Sequence, residues 1–390
     1  MTKDAKYWSE WFWRGFFANW VTQVQDNQGG VFDALDAEGK PDLKSGKSLL
    51  AQARALFTFS YVALLSGDKV LTEVARKQLD FLNKFEKVPG LFRCNMTRDG
   101  TPTGNQEDEV ARSYDQTFVI LGLVTWYKLS PSKEATVRID ACWEAIETQL
   151  TDPATGLLLN DDSGIETGPA QNPHMHLYEA CLQAFRMTNE AVWLSRAAGL
   201  RNVGLRFFMN DYSGSVAEFL AHNLEPLPGR AGQRREVGHQ CEWAWLMSEE
   251  ADLAKDASLL APAERLFGFA EKYGFSQDGP LKGAVFDAVS TEGKVVENTF
   301  LLWPQTEAIK ILSMRHKAGD PLTGERAQNL LCLVFQRWFE QHPHFCNQLD
   351  ADGLVVWDES LTRLMYHLIL ALLEGAKAGL WPEIPKKIVS

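Results

Sequence analysis

Histidine and glutamate recur together, three residues apart, in two segments of the chain. His176 precedes Glu179 in the segment NPHMHLYEA, and His239 precedes Glu242 in the segment EVGHQCEWAWL. If both segments are helical, each pair lies on one face of its helix. A carboxylate beside an imidazole orients the ring, fixes its tautomer and raises its pKa. The pattern therefore indicates histidines that take up and return a proton near neutral pH.

The same residue types could instead bind a metal ion. Di-iron helical bundles use Glu-x-x-His on two helices together with two further glutamates. Here the order within each pair is reversed, and the side chains of His174 and His176 point apart on a helix. The six cysteines are scattered and form no C-x-x-C motif, so neither a structural zinc site nor a disulfide framework is supported. We expect no metal, and a structural hydrogen bond remains the plainer alternative for each histidine.

Sequence motifs of several other reaction classes are absent. The chain has no G-x-S-x-G elbow, no P-loop and no dinucleotide fingerprint. Nucleophilic and nucleotide-dependent catalysis therefore lack a signal, and we expect no cofactor. Acid–base catalysis is the natural role left for the histidines.

The segments that would position these residues form a loose internal repeat. Val31–Lys40 (VFDALDAEGK) resembles Val285–Lys294 (VFDAVSTEGK), and both alternate apolar and polar residues before a Glu-Gly turn. Each is typical of a β-hairpin. Weaker versions predict hairpins at Gly90–Gly104, Gly156–Gly164, Gly214–Gly229 and Phe345–Trp357. A recurrence at roughly sixty residues indicates a repeat architecture.

Apolar residues at helical spacing fill the stretches between these hairpins. The pattern predicts about twelve helices, near 5–26, 45–66, 69–87, 108–129, 131–150, 173–188, 189–209, 236–254, 258–275, 298–317, 321–341 and 358–379. Six helical pairs can close into a double ring or remain an open solenoid. In each pair, one helix carries polar residues among apolar ones near its N-terminus, which favours a ring with those residues at one mouth.

The polar residues on these alternate helices are the candidates for one site. They are Arg54, Tyr114, Asp115, Asn172, His174, His176, Glu179, His239, Glu242, Trp303, Glu307, Trp357, Arg363, Tyr366 and His367.

The net charge of the chain limits which kinds of binding partner are expected. The chain has 390 residues, a hydrophobic fraction of 45% and a net charge of −12, which argues against nucleic acid and anionic membranes as partners. The N-terminus lacks the apolar region of a signal peptide, and no run of about 18 apolar residues occurs. We expect a cytoplasmic protein, with residues 1–390 forming a single domain.

Four motifs, taken in order, resemble one known family. NPHMHLYEA, VGHQCEWAWL, LWPQTEA and the late pair Tyr366-His367 are similar to the N-acylglucosamine 2-epimerase superfamily, which includes cellobiose 2-epimerases and D-mannose isomerases. The resemblance covers nearly the whole chain. It implies an all-α (α/α)6 barrel with a sugar at its mouth, and it is compatible with a homodimer.

The resemblance also implies roles for individual residues. His239 and His367 match the acid–base pair of the family, and Glu242 matches the acidic partner of His239. The residues that match substrate-binding positions are Arg54, Tyr114, Asn172, His176, Glu179, Glu242, Trp303 and Glu307. A second substrate-binding arginine is expected upstream of His239, where Arg230, Arg234 and Arg235 compete.

The resemblance implies proton transfer at C2 of an open-chain aldose, through a cis-enediolate. If the proton returns to C1, mannose becomes fructose; if it returns to the other face of C2, the product is the epimer. The form Glu242–Trp245 is more similar to the D-mannose isomerases, so we expect an aldose–ketose isomerase. A 2-epimerase and, on the same barrel, a glycoside hydrolase with two carboxylates remain alternatives.

Overall fold

A double ring of α-helices is seen in the computed structural model, which describes residues 3–165 and 167–389. The outer ring contains α1 (Ala5–Trp11), α2 (Phe17–Val24), α4 (Lys69–Leu82), α6 (Lys133–Gln149), α8 (Ala191–Phe208), α11 (Leu260–Tyr273) and α13 (Pro321–Val334). The inner ring contains α3 (Leu49–Ser66), α5 (Ser113–Leu129), α7 (Gln171–Thr188), α10 (Val237–Ala254), α12 (Leu302–Lys317) and α14 (Met365–Lys377). A short helix, α9 (Gly229–Gln233), belongs to a connecting loop.

The ring is closed. Each inner helix packs against the next around the circle, and the last of them, α14, packs against the first, α3. The N-terminal helices complete the outer ring, because Trp8 stacks on Phe335 near α13 and Trp20 lies beside Phe59 of α3. Closure makes the fold an (α/α)6 barrel and rules out the open solenoid.

The two rings differ in how their helices are buried. In α4 the buried residues include Leu71, Ala75, Gln78 and Leu82, the spacing of a helix with one apolar face. In α3 nearly every residue is buried, as expected of a helix surrounded by neighbours. By length and composition α3 could also cross a membrane, but 83% of that stretch is buried in the barrel, so its place in the inner ring explains its apolar character.

Caps and π-helical turns shape the helix ends. Ser48, Asp68, Ser132 and Asp320 accept hydrogen bonds from the first-turn amides of α3, α4, α6 and α13, the usual role of such residues. One π-helical turn, Phe12–Phe16, joins α1 to α2, and another, Phe335–Phe339, extends α13. Phe16 packs on Phe339 across the two turns.

Short strands crowd the mouth at which the inner helices begin. They are β1 (Ala34–Leu35), β2 (Lys47–Ser48), β3 (Glu86–Val88), β4 (Leu91–Phe92), β5 (Asn95–Met96), β6 (Met209–Asn210), β7 (Ser215–Val216), β8 (Arg234–Glu236), β9 (Ala288–Ser290), β10 (Val295–Glu297), β11 (Thr299–Leu301), β12 (Gln348–Asp350), β13 (Val355–Trp357) and β14 (Ser360–Leu361). Strands β2, β8 and β11 run directly into α3, α10 and α12, and the 3₁₀ turn Thr362–Leu364 joins β14 to α14.

Two of the six predicted hairpins form. The strands β12 and β13 pair within the predicted segment, whereas β9 pairs with β10, which begins one residue after the predicted end at Lys294; both pairs are antiparallel. Elsewhere the strands pair with other partners. In the segment Val31–Lys40, β1 pairs with β14 from the far end of the chain. In Gly90–Gly104 and Gly214–Gly229, β4 pairs with β3, β5 with β2 and β7 with β6. Gly156–Gly164 contributes only isolated bridges.

A repeated clamp attaches the connecting segments to the inner helices. The fourth residue of α3, α5, α10 and α12 is a glutamine whose side chain bonds both the N–H and the C=O of one backbone residue in the preceding connection. These residues are Gln52, Gln116, Gln240 and Gln305. In α7 the fourth residue is His174, whose Nε2 accepts a bond from Leu158 N–H at 2.9 Å. His174 is therefore structural, and burial lowers its pKa to about 3.

Candidate active site

A cavity of about 540 Å³ opens at the mouth formed by the N-termini of the inner helices. Eight of the ten predicted site residues line it: Arg54, Tyr114, Asn172, His176, His239, Glu242, Trp303 and His367. The other two, Glu179 and Glu307, do not line the cavity. They are buried behind His176 and His367 and contact those histidines. The structure thus brings all ten together, with two in supporting positions.

Equivalent positions on the inner helices place these side chains in layers. The second or third residue of four helices supplies Tyr114, Asn172, His239 and Trp303 near the mouth, and the sixth residue of four helices supplies Arg54, His176, Glu242 and Glu307 one turn deeper. Residues four apart share a helix face, so both layers face the barrel axis. The ninth residue of three helices forms a third layer, which contains Glu179, Trp245 and Lys310.

His367 is a buried histidine among cations. Its Nδ1 lies 2.8 Å from Glu307 Oε1, and its Nε2 lies 3.3 Å from Arg54 Nη1. Arg54 can only donate, so Nε2 is the acceptor and Nδ1 carries the proton that is donated to Glu307. Burial, with the positive charges of Arg54 and Lys310, places the pKa of His367 well below its ordinary value. The imidazole is therefore neutral at pH 7, with a lone pair on the cavity side.

His239 is equally buried but lies among carboxylates. Its Nδ1 is 2.7 Å from Glu218 Oε2 and 3.4 Å from Glu236 Oε2. Burial alone would lower the pKa of His239, but these two carboxylates outweigh burial and raise it to about 9. The ring of Trp303 lies 4.8 Å from that of His239, and it fits there because Gly238 has no side chain to meet it. His239 is therefore a cation at neutral pH.

The predicted pairing of His239 with Glu242 is wrong. Glu242 lies one helical turn deeper, where its Oε1 is 3.9 Å from His176 Nδ1 and 3.8 Å from Lys310 Nζ. The Nδ1 of His239 instead meets Glu218, a loop residue, and Glu236, which precedes it by one turn. Glu218 is held by Glu236 N–H at 2.9 Å and by the Gln171 side chain at 3.1 Å.

The predicted pairing of His176 with Glu179 is confirmed. His176 Nδ1 is 3.1 Å from Glu179 Oε2, and the Tyr366 hydroxyl donates a hydrogen bond to the same carboxylate. Arg54 lies nearby, donating to Tyr114 Oη at 2.8 Å, with its guanidinium 4.1 Å from the ring of Phe118. These aromatic contacts hold the guanidinium rigid at the base of the cavity.

None of the three candidate second arginines reaches the cavity. Arg234 pairs with Glu236 and Glu297, Arg235 bonds the Ser215 hydroxyl, and Arg230 bonds a backbone carbonyl of β10. The arginines that join Arg54 in lining the cavity are Arg112 and Arg363. Within the described residues 3–165 and 167–389, neither guanidinium has a hydrogen-bond or ion-pair partner.

Several lining residues carried too little sequence signal to be found. Glu218 lies in a loop, where no periodicity marks which way a side chain faces. Arg112 was inside the predicted helix 108–129, but it lies just before the first residue of α5. Glu236 is the first residue of the segment EVGHQCEWAWL, and its spacing of three before His239 is the same signal that was applied to Glu242 after it. Asn347 comes from the loop before β12, whereas Trp357, which was a sequence candidate, lines the cavity from β13 rather than from a helix.

Three clusters of carboxylate and imidazole side chains are compact enough to be considered as metal sites. Within each cluster, the potential ligand atoms lie within 4.8 Å of one another. The clusters are His176 with Glu179 and Glu242, Glu242 with Glu307 and His367, and Glu218 with Glu236 and His239. The first two groups share Glu242, beside which lies the ammonium group of Lys310; Nζ is 2.5 Å from Glu307. In the third, Glu236 already pairs with Arg234 at 2.6 Å. The charges of these side chains are balanced by basic residues, which is a poor setting for a divalent cation.

Known proteins resemble the chain along most of its length. The family model described as N-acylglucosamine 2-epimerase matches residues 30–371. A Rhizobium meliloti protein named mannose-6-phosphate isomerase is 26% identical over 365 residues, covering 91% of this chain and 92% of that protein. Two solved structures share the fold. A cellobiose 2-epimerase from Bacillus thermoamylovorans has a TM-score of 0.83 at 17% identity and coverages of 94% and 97%. A D-mannose isomerase has a TM-score of 0.82 at 20% identity and coverages of 95% and 95%.

Proposed function

The chain belongs to the N-acylglucosamine 2-epimerase family and is a sugar isomerase or epimerase; we propose that it is an aldose–ketose isomerase that interconverts D-mannose and D-fructose. The proposal rests on the paired histidines of the cavity. It specifies two things: the substrate, which is mannose, and the carbon to which the proton returns, which is C1. The cavity volume of about 540 Å³ accommodates a monosaccharide.

One observation carries the proposal: the two catalytic candidates have pKa values driven in opposite directions. The pKa of His239 is raised to about 9, while the pKa of His367 is lowered well below its ordinary value. Titratable pairs whose environments drive their pKa values apart have separate acid and base roles. We assign the base to His367 and the acid to His239.

The proton transfers then balance. His367 Nε2 removes the hydrogen from C2 while His239 gives a proton to the O1 carbonyl oxygen, which yields the enediol. Return of the C2 proton from His367 to C1, with removal of the O2 proton by His239, gives the ketose and restores both histidines. Arg54 donates to His367 Nε2 at 3.3 Å in the empty site, and this hydrogen bond must give way before the Nε2 lone pair takes the C2 hydrogen. Arg54 can then donate to O1 or O2 and stabilise negative charge there in the transition state.

Proton NMR of D-mannose in D2O tests this assignment directly. We expect fructose to appear at a rate that EDTA does not change, with deuterium at C1 in those turnovers in which the proton on His367 exchanges with solvent before its return. The His367→Asn variant is the matched control, because the asparagine amide can still donate to Glu307 while providing no base. Conversion that is unaffected in this variant would overturn the proposal.

The alternative activities, 2-epimerase and glycoside hydrolase, predict different products. A 2-epimerase would give glucose with deuterium at C2 before any fructose appears. A glycoside hydrolase would leave mannose unchanged and release reducing ends from an oligosaccharide. The hydrolase reaction needs a free pair of carboxylates, whereas Glu218 and Glu236 are tied to His239 and Glu242 lies beside Lys310.

A phosphorylated sugar is a second candidate substrate, favoured by the unpaired guanidinium groups of Arg112 and Arg363 in the cavity wall. Arginine is well suited to bind phosphate through paired hydrogen bonds, and the Rhizobium meliloti relative carries the name mannose-6-phosphate isomerase. Comparison of kcat/KM for mannose and mannose 6-phosphate separates the two substrates. If the phosphate is bound here, Arg363→Gln should raise KM for mannose 6-phosphate by about tenfold or more and leave KM for mannose nearly unchanged.

A further inference from the structure

Lys310 is a buried charge that the proton transfer itself does not use. It lies on α12, in the layer beneath the histidines, and its side chain is 0% exposed. Its Nζ is 2.5 Å from Glu307 Oε2, 3.8 Å from Glu242 Oε1 and 3.8 Å from the centre of the Trp245 ring. Lys310 does not line the cavity, so it cannot touch the substrate.

Three buried carboxylates surround this ammonium group. Glu307 and Glu242 are its ion-pair partners, and Glu179 lies in the same layer and also raises the pKa of Lys310 against the opposing effect of burial. Both oxygens of Glu242 are buried and accept no hydrogen bond from the described residues. An uncompensated buried charge is costly, so a nearby cation is needed for these side chains to stay ionised.

Glu307 connects the lysine to the base. Its Oε2 contacts Lys310 Nζ, while its Oε1 accepts the Nδ1–H bond of His367 at 2.8 Å. We propose that Lys310 is a positioning residue, whose fixed positive charge keeps Glu307 an ionised acceptor for His367 Nδ1–H and so leaves the Nε2 lone pair facing the cavity. The geometry supports this role even if the substrate differs, although its catalytic consequence rests on the proposed function.

Charges from every neighbouring inner helix act on His367. Arg54 faces it from α3, His176 from α7, His239 and Glu242 from α10, and Glu307 with Lys310 from α12. Burial and the neighbouring Glu242 raise the pKa of Glu307 well above its ordinary value even though Lys310 opposes that rise. The ionised state of Glu307 is instead indicated by its partners: Arg54 can only donate to His367 Nε2, so Nδ1–H donates to Glu307 Oε1, and Lys310 Nζ lies 2.5 Å from Oε2. Without the lysine, one additional proton would be held at neutral pH, on Glu307 or on His367.

Either location of that proton removes the base. A protonated Glu307 would donate to Nδ1, which moves the imidazole hydrogen to Nε2, and a protonated imidazole has no lone pair at all. In the Lys310→Met variant we therefore expect kcat at pH 7 to fall on the order of 100-fold, as for other buried groups that orient a catalytic imidazole. KM should change little, and activity should recover in part as the pH rises and the extra proton leaves.

The decisive readout is the pH profile, because loss of a merely structural contact would not move it. The acidic limb of kcat should shift upward by about one pH unit or more in Lys310→Met. Lys317→Met, on an exposed position of the same helix, is the matched control and should behave like the unaltered protein. A folded Lys310→Met variant with an unchanged kcat and pH profile would overturn the proposal.

A measurement on the unaltered protein keeps the proposal testable if Lys310→Met does not fold. Nitrogen-15 NMR of labelled histidine, assigned by comparison with His367→Asn, should show His367 neutral, with its proton on Nδ1, from pH 6 to pH 8. A proton on Nε2, or titration near pH 6.5, would refute the positioning role. Since this readout needs no turnover, it is independent of whether the protein isomerises mannose.

Discussion

The surroundings of His239 and of His367 make an instructive comparison, because the first contacts of the two histidines are nearly identical. Each imidazole is buried, and each has a carboxylate oxygen close to Nδ1, at 2.7 Å for His239 and 2.8 Å for His367. Their pKa values nevertheless move in opposite directions. A description that stopped at the nearest partner would give both histidines the same role.

The opposite pKa shifts come from the charged side chains that surround each imidazole–carboxylate pair. His239 has a second carboxylate, Glu236, at 3.4 Å, whereas both carboxylates near His367, Glu307 and Glu242, are ion-paired with Lys310. Arg54 adds a further positive charge beside His367. At such distances in a poorly solvated interior, a single charge shifts an equilibrium substantially. In the proposed mechanism, the charges around the two carboxylates therefore decide which histidine is acid and which is base.

Replacing either histidine should have the largest effect on turnover. We expect His367→Asn and His239→Asn each to lower kcat by about 10³- to 10⁴-fold. The two losses should differ in kind, because the His239→Asn variant keeps the base and can still exchange the C2 hydrogen of mannose with D2O. Deuterium NMR of recovered substrate measures this exchange, and faster exchange in His367→Asn than in His239→Asn would reverse the assignment.

Removing one carboxylate should make His239 more like an ordinary histidine. Glu218→Gln takes away the charge at 2.7 Å, so the pKa of His239 should fall from about 9. Because the protonated form is the acid, the alkaline limb of the kcat profile should move to lower pH. At pH 8.5 we expect about a tenfold to hundredfold loss, with a smaller loss at pH 6. An alkaline limb that stays in place would show that His239 is not the group being titrated.

The same interaction should appear in the pH dependence of stability. The folded-state pKa of His239 is raised to about 9, so its contribution is complete below the unfolded value near 6.5 and is lost as the pH rises through about 9. Denaturant unfolding should show that the unaltered protein exceeds His239→Asn by on the order of 2–3 kcal/mol more at pH 6 than at pH 9.5. A difference that does not vary with pH would contradict the raised pKa.

The smallest expected effect concerns the third histidine of the cavity. Tyr366→Phe removes the hydroxyl that donates to Glu179, while His176 remains as a partner of that carboxylate. We expect a loss of about 1 kcal/mol in unfolding free energy and less than a tenfold change in kcat. A hundredfold loss of kcat would instead place His176 and Glu179 in the proton transfer itself.

The helical part of the fold was predictable from the sequence because it is periodic. All twelve predicted helices are confirmed, with ends displaced by a few residues where a strand or 3₁₀ turn occupies the start, as at 298–317 against Leu302–Lys317. The strands were harder, since several are only two residues long and pair over long sequence distances. No local pattern reports such a partner. A clearer signal was available in the fourth-position glutamines, such as Gln52 and Gln305, which mark four of the six inner helices.

The helical part of the site was likewise predictable, and its loop-borne part was not. Helical spacing identified which residues share a face, which brought His176 and Glu179 together as expected. It did not report depth, and for that reason Glu242 was assigned to the wrong histidine. The partner that His239 does have, Glu218, is placed by hydrogen bonds from Gln171 and the backbone of Glu236. Such placement depends on the folded barrel rather than on sequence spacing.

The pairing of β1 with β14 also bears on how the protein is made. It joins Ala34–Leu35 to Ser360–Leu361, and the Thr362 hydroxyl donates to the Phe32 carbonyl across the same seam. During synthesis, a nascent chain that has emerged through α12 holds five inner helices and presents an unpaired strand edge and an uncovered apolar face to other chains. The hydrogen-bond partner of Arg54, His367, lies 313 positions later in the sequence. His367, the proposed catalytic base, is thus added last, when the final inner helix leaves the ribosome and seals the barrel.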